Sequence, residues 1–272
     1  MTRKLLRNKV VLVTTSIILI TMLIGAFAHQ IAPNDPNEAS IINKYSRSSD
    51  EFPLGTDHLG RCILSRLIYG IRPTVFLSLF TMLCTIALGT LIGVISGYSI
   101  GIVDEVIMRI CDIMLSFPSQ VMILAVVGML GVGINNVIFA SIMIKWAWYA
   151  RMIRSMVIKY NNKNYILYSK TIGTSRSFII TRHMIPNIIS EVIVLATLDM
   201  GWVIISISTL SFLGLGVQAP TAEWGAMLSE AKNVLSTNPS QMLAPGLAIL
   251  IIVSAFNLLG DGLRDVLDPR EV

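Results

Sequence analysis

TVFLSLFTMLCTIALGTLIGVISG, residues 74–97, holds 24 consecutive positions without a charged side chain. About 20 apolar residues of helix, rising about 1.5 Å each, cross the hydrocarbon core of a bilayer. The stretch therefore reads as a membrane-spanning α-helix, and the uncharged run continues past it through the Gly-containing turn GYSIGI, residues 97–102. The same reading applies to Val10–Ala28 before it. Asp112 to Lys145 is charge-free but too long for one crossing, and GMLGVGINN, residues 128–136, carries the turn residues that divide it into a third and a fourth span. A fifth runs from about Ile188 to Leu210, interrupted only by Glu191 and Asp199, and a sixth from about Met242 to Leu259. The expected fold is all-α with six transmembrane helices.

Composition agrees: 54% of the 272 residues are hydrophobic, 14% are charged, and the mean hydropathy is +0.71, values outside the range of soluble domains. The net charge of +5 lies in short segments between apolar runs rather than along a soluble face, which argues against a nucleic-acid binder. Cys62, Cys84 and Cys111 form no C-x-x-C, and His29, His58 and His183 are scattered, so neither a disulfide framework nor a metal cluster is read and no cofactor is expected. The 14 methionines read as adaptable apolar packing. The first span follows Arg3, Lys4, Arg7 and Lys9 and ends in Ala26-Phe27-Ala28, as a secretory signal can, but it exceeds the roughly 7–15 residues of a signal's apolar region and is expected to stay as an anchor.

Lys and Arg counts set the orientation. With the N-terminus inside, the inner side receives fourteen bases: four at the start, Arg109, seven between Arg151 and Arg182, Arg264 and Arg270. The outer side receives six, Lys44, Arg47, Arg61, Arg66, Arg72 and Lys232, and Lys145 completes the 21. Both termini are therefore expected in the cytoplasm. Residues 29–72 form an outer segment, irregular around Pro33, Pro36 and Pro53, in which Ile63, Leu64, Leu67, Ile68 and Ile71 recur at helical spacing. That spacing predicts an interfacial helix lying along the membrane surface.

Five ordered segments then carry a resemblance: PLGTDHLGRCILSRLIYGIRPT (53–74), VDEVIMRICDIMLSFPS (103–119), WAWYARMIRSMVI (146–158), LSFLGLGVQAPTAEWGAML (210–228) and FNLLGDGLRDVLDPR (256–270). Together they resemble the C-type permease subunits of binding-protein-dependent ABC importers in the dipeptide, oligopeptide and nickel family, over nearly the whole chain. The resemblance implies a type I ABC importer transmembrane domain at 73–262, after residues 1–28 and 29–72 and before a cytoplasmic tail at 263–272. It also implies a second, related permease, two ATP-binding subunits and an extracytoplasmic solute-binding protein as partners, in a bacterial cell membrane. No Gly-Lys dipeptide occurs, so the chain has no P-loop of its own; it is expected to be non-catalytic.

The basic loop at about 151–186 contains YILYSKTIGTSRSFIITRHMIPN, residues 165–187. Tyr165 to Ile172 can form a short helix stopped by Gly173, a residue suited to the left-handed turn at a helix end. In the resembled family this is the coupling helix, patterned Glu-Ala-Ala, three residues, Gly, and later Leu-Pro. Leu167-Tyr168-Ser169 replaces the Glu-Ala-Ala, while Gly173 and Ile185-Pro186 keep the rest. Tyr165, Leu167, Tyr168, Ser169, Gly173, Ser175 and Pro186 are thus the expected coupling residues. An ordinary basic loop is the plain alternative. Asp261, Arg264, Asp265 and Asp268 match the family's GDxLRDxLDP tail and are read as helix-end capping. Cys62 stands where the family has aspartate.

Asp199 lies near the middle of the fifth span, where an ionised side chain costs about 2.5–3.5 kcal/mol on insertion scales and marks a pathway or a partner charge. Two readings stay open: a translocation-pathway residue, or a pair with Lys145. LATLDMG at 195–201 and WAWYARMIRS at 146–155 look more like the nickel-type C permeases, which implies import of nickel or a related metal as a chelate or metallophore complex. Di- or oligopeptide import is the alternative within the class. A channel, carrier or membrane scaffold without an ATPase is the alternative outside it; a carrier is expected to show an internal repeat and broken helices.

Overall fold

The computed structural model describes residues 8–267. Among the described residues the regular elements are helical, apart from one isolated antiparallel bridge between Thr56 and Cys62. The helices of eight residues or more are α1 (Lys9–Ala26), α2 (Ile63–Ile71), α3 (Leu77–Ser99), α4 (Ile102–Leu115), α5 (Ser119–Leu130), α6 (Ile134–Asn161), α7 (Asn164–Thr171), α8 (Ile185–Phe212), α9 (Trp224–Ala231) and α10 (Ser240–Leu267). Arg3, Lys4, Arg7, Asp268 and Arg270, which entered the charge count and the tail reading, lie outside the described residues. Asp261, Arg264 and Asp265 fall in the last turns of α10 and make no ion pair among the described residues.

Four helical runs are long and apolar enough to cross a membrane: Lys9–Ala26, Ile63–Ser99, Arg176–Phe212 and Ser240–Leu267. Only 22–39% of their apolar windows is buried inside the protein. Leu19, Ile20 and Leu23 of α1 and Leu243, Leu247 and Leu250 of α10 all face outward, an arrangement that lipid accepts and water does not. A fifth run counts if α4 and α5 are one broken span, bent by 84°. α6 has 28 residues but carries Lys145, Arg151, Arg154 and Lys159 and falls below the apolarity of the others.

The helices differ from the expected arrangement at three places. The third span is not one helix. Pro118 offers no backbone N–H and cannot continue α4, so the chain turns at Ser116–Pro118 before α5 begins. The helix expected at 63–72 is not separate from the span that follows: α2 runs into α3 through a π turn, Arg72–Phe76, that contains Pro73. Its Ile63, Ser65, Arg66, Ile68 and Ile71 are buried against α1, α9 and α10. Finally, α6 persists to Asn161, ten residues past the expected start of the loop. The bases there are neutralised on neighbouring elements: Arg151 pairs with Asp112, Arg154 with Asp104 at 2.5 Å, and Lys159 with Glu191 at 3.4 Å.

The most extensive packing is between α3 and α6. Gly89, Gly93 and Gly97, one turn apart on α3, let the two backbones meet; a Cβ on Gly93 would lie 2.6 Å from the Ala150 carbonyl oxygen, and one on Gly89 would lie 2.4 Å from Tyr149 Cβ. Such small-residue seams drive helix association where no hydrophobic force acts between helices in lipid. Gly93→Leu is expected to split this seam and sharply lower the amount of folded protein in membranes, measured by quantitative blotting; an unchanged amount would show that the seam is loose.

The segment 29–62 folds back over α2 and α9 through a buried charge network. Asp57 accepts from the backbone N–H groups of Leu59 and Arg61 and from Arg61 Nε at 2.7 Å. The Arg61 and Arg66 guanidiniums, both nearly inaccessible, donate to Glu230 on α9 at 2.7 and 3.2 Å. Cys62 precedes α2 as its N-cap and makes no side-chain capping bond, which a thiol does poorly.

Glu223, fully buried, caps α9: one carboxylate oxygen accepts from the Ala226 N–H at 2.7 Å, the other from the Thr74 hydroxyl at 3.0 Å. Burial pushes its pKa up, against the backbone and hydroxyl donors that pull it down. Glu223→Ala is expected to cost about 1–2 kcal/mol through the lost cap, visible as a lower melting temperature of the detergent-solubilised protein. An unchanged melting temperature would show that the cap is dispensable.

Candidate functional site

The residues expected to couple the chain to a partner come together at one end of the bundle. α6 ends at Asn161, the chain turns, and α7 follows as a single two-turn helix. It ends in a Schellman motif: the Gly173 N–H donates to the Lys170 carbonyl and the Thr174 N–H to the Ser169 carbonyl, each at 3.1 Å, with Gly173 at φ +80. Ser175 then caps the next helical run, its hydroxyl accepting from the Phe178 N–H at 3.4 Å. A π turn, Ile179–Met184, leads into α8, and Pro186 sits in the first turn of that helix. The Ile185 N–H reaches back to Ile180, so the ladder widens where the proline could not fit a regular one.

α7 is anchored on one side and bare on the other. Ile166 and Ser169 are buried, while Tyr165, Leu167, Tyr168 and Ile172 are exposed. Lys170 donates to Asn161 Oδ1 at 2.5 Å and lies 5.3 Å from the Tyr98 ring centroid, pinning α7 to the ends of α6 and α3. The His183 ring meets Phe178 and Tyr165 edge-on at 5.5 and 6.1 Å, joining α7 to the π turn. Of the expected residues, Ser169 faces inward, Gly173, Ser175 and Pro186 shape the chain, and Tyr165, Leu167 and Tyr168 present the surface.

Asp199 is far along α8 from this end and belongs to a different constellation. Lys145 Nζ donates to both its carboxylate oxygens, at 2.9 and 3.1 Å, and the Tyr149 hydroxyl donates to Oδ2. The ammonium also lies 3.4 Å from the Trp202 ring centroid, a cation–π contact. Beside it is a cavity of about 10 Å³ lined by Thr81, Thr85, Ser141 and Ser206, barely room for one water. Asp199 and Lys145 are therefore paired, as one of the two open readings has it. Tyr149 and Trp202 were missed, although Lys145 and Tyr149 stand one helical turn apart in the sequence.

Long helices with outward-facing apolar residues, a partly buried ion pair among them and a capped helix left bare at one end define a polytopic membrane component with no nucleotide-binding loop in its sequence. Residues 89–272 match the family of binding-protein-dependent transport system inner membrane components. The chain is 43% identical over 268 residues to the metal-staphylopine import system permease protein CntC of Staphylococcus aureus, covering 98% of this chain and 93% of that one. It is 41% identical over 256 residues to the nickel transport system permease protein NikC of Escherichia coli (94% and 92% covered), and 37% identical over 268 residues to the dipeptide transport system permease protein DppC of Alkalihalophilus pseudofirmus (98% and 88% covered). The chain belongs to this permease family of ABC importers, a multi-pass bacterial membrane protein.

Proposed function

We propose that this chain forms one half of the translocation pathway of an importer for nickel or a related transition metal, taken up as a chelate. The observation that carries the reading is near-full-length similarity to permeases of a metal-staphylopine and a nickel system, at 43% and 41% identity. The metal is cargo. A second, related permease supplies the other half of the path, one of two ATP-binding subunits docks on α7 and its flanking turns, and an extracytoplasmic solute-binding protein delivers the ligand. Six spans are counted by adding the bent α4–α5 pair and α6 to the four apolar runs.

The mid-bundle pair suits such a cargo. Asp199 and Lys145 cancel in charge, and a chelate whose ligands cover the ion crosses a mostly apolar path at a smaller desolvation cost than the bare ion. Radiolabelled nickel uptake tests the reading in cells dependent on this system, with histidine or an opine-type chelator supplied. Uptake that requires the chain and the chelator supports it; uptake of dipeptides alone, with no nickel transported, overturns it in favour of peptide import, the second reading that similarity to the dipeptide permease supports.

The orientation follows from fourteen bases against six. Reporters inserted near Tyr160 and fused after Val272 are expected to report cytoplasm, and one near Ser46 the outside. An outside signal at Tyr160 would overturn the six-span arrangement.

A further inference from the structure

We propose that the bare face of α7 seats in a partner groove with an apolar floor and an acidic rim, and that the subunit carrying this groove is the ATP-binding one. The inference rests on α7 being the coupling element and adds the chemistry of its partner.

The face is apolar at its centre. Leu167, Tyr168 and Ile172 are 46%, 68% and 61% exposed, with Tyr165 beside them, while Ile166 and Ser169 hold the opposite side of the helix in the protein. The segment that carries it contributes bases and no acids: no Asp or Glu occurs in the sequence between Asp112 and Glu191. The bases of this stretch divide into two groups. Arg151, Arg154 and Lys159 are committed to Asp112, Asp104 and Glu191, and Lys170 to Asn161. Lys163, Arg176 and Arg182 are exposed and make no ion pair among the described residues. Lys163 stands at the N-cap of α7, Arg176 just past its C-terminal turn, and Arg182 in the π turn beside His183.

Three exposed cations thus flank the apolar face along the chain, one before α7 and two after it. Such a surface is repelled by a basic pocket and complements an acidic one, since like charges across an interface cost several kcal/mol and opposite charges steer association. Position 167 is where the resembled coupling motif has glutamate. Leucine there removes the one carboxylate that a basic pocket would receive, so both the centre and the rim of the face point to the same partner chemistry.

The test uses the assembled complex, with the second permease and the system's own ATP-binding subunits co-expressed. It measures how much ATP-binding subunit stays on the tagged permease after solubilisation, at matched permease amounts. Leu167→Glu is expected to reduce retention about tenfold or more, corresponding to at least about 1.4 kcal/mol, while Leu167→Met holds it near the wild-type level. Lys163→Glu with Arg176→Glu is expected to lose retention similarly, and wild-type retention is expected to weaken toward about 1 M salt, where the Debye length is about 3 Å. Full or increased retention in Leu167→Glu would overturn the acidic groove while leaving α7 as the docking helix. Unchanged retention in Tyr168→Ala with Ile172→Ala, the result expected if this face lies on lipid instead, would overturn the docking reading and the inference with it.

Discussion

Gly173→Val is expected to abolish transport-linked ATP hydrolysis in the assembled importer while leaving the permease in the membrane in near-normal amount. Gly173 occupies the left-handed region at φ +80, and a Cβ built there meets nothing within 4 Å. The cost of the substitution is therefore one of backbone conformation and not of space. For a β-branched residue it is of the order of 1–3 kcal/mol. The global fold can absorb that amount, because the many apolar contacts of the bundle do not depend on this turn.

α7 cannot absorb it in the same way. It has eight residues, too few to be stable as a helix without its caps and its tertiary anchors. The two Schellman bonds that close its C-terminus exist only if residue 173 stays left-handed. Valine relieves its strain by unwinding that turn, which displaces Ile172 and frees Lys170 from Asn161. Stimulated hydrolysis should then follow the tolerance of each residue for the left-handed region, with Gly173→Asn retaining most activity, Gly173→Ala less and Gly173→Val none. Normal stimulation in the valine variant would show that α7 is not the coupling element.

The turn that ends α7 was legible in the sequence because its signal is local. A glycine after a short helical run, a serine two residues later and a proline beyond them each act on their own backbone, and α7 ends within a residue of the expected place. The long apolar runs were legible for the same reason, lipid being a uniform demand on every residue of a span. What escaped was relational. The bend at Ser116–Pro118 was written in the proline, but the charge-free run around it gave no reason to break a helix there. The persistence of α6 through Arg151, Arg154 and Lys159 depends on Asp112, Asp104 and Glu191, acids on other elements whose proximity no spacing reveals. The Gly89, Gly93, Gly97 seam had a readable four-residue repeat, yet its partner, α6, is identified only by the packing.

Asp199 shows the same limit at the candidate pathway, and it carries the second large effect. Asp199→Asn is expected to lower the stability and steady membrane amount of the permease, because it leaves the Lys145 ammonium in the bundle beside the Trp202 ring with an amide in place of the carboxylate. Removing one partner of a fully buried ion pair typically costs about 3–5 kcal/mol, most of it the uncompensated charge, and the loss here is expected below that range because the Lys145 and Asp199 side chains keep 11% and 15% of their exposure. The companion change Lys145→Gln removes that charge, so the double variant should recover most of the loss, with a coupling energy of roughly 0.5–3 kcal/mol between the two sites. Tyr149 and the hydroxyls of Thr81, Thr85, Ser141 and Ser206 remain to satisfy the paired amides. Melting temperature and membrane abundance of the two single variants and the double variant complete the cycle. Additive losses would show that Asp199 and Lys145 act independently. Uptake by the restored double variant then separates the two roles that a single Asp199→Asn change confounds. Wild-type nickel-chelate uptake would confine the pair to holding α6 against α8, whereas loss of uptake at full stability places its charges on the path of the cargo.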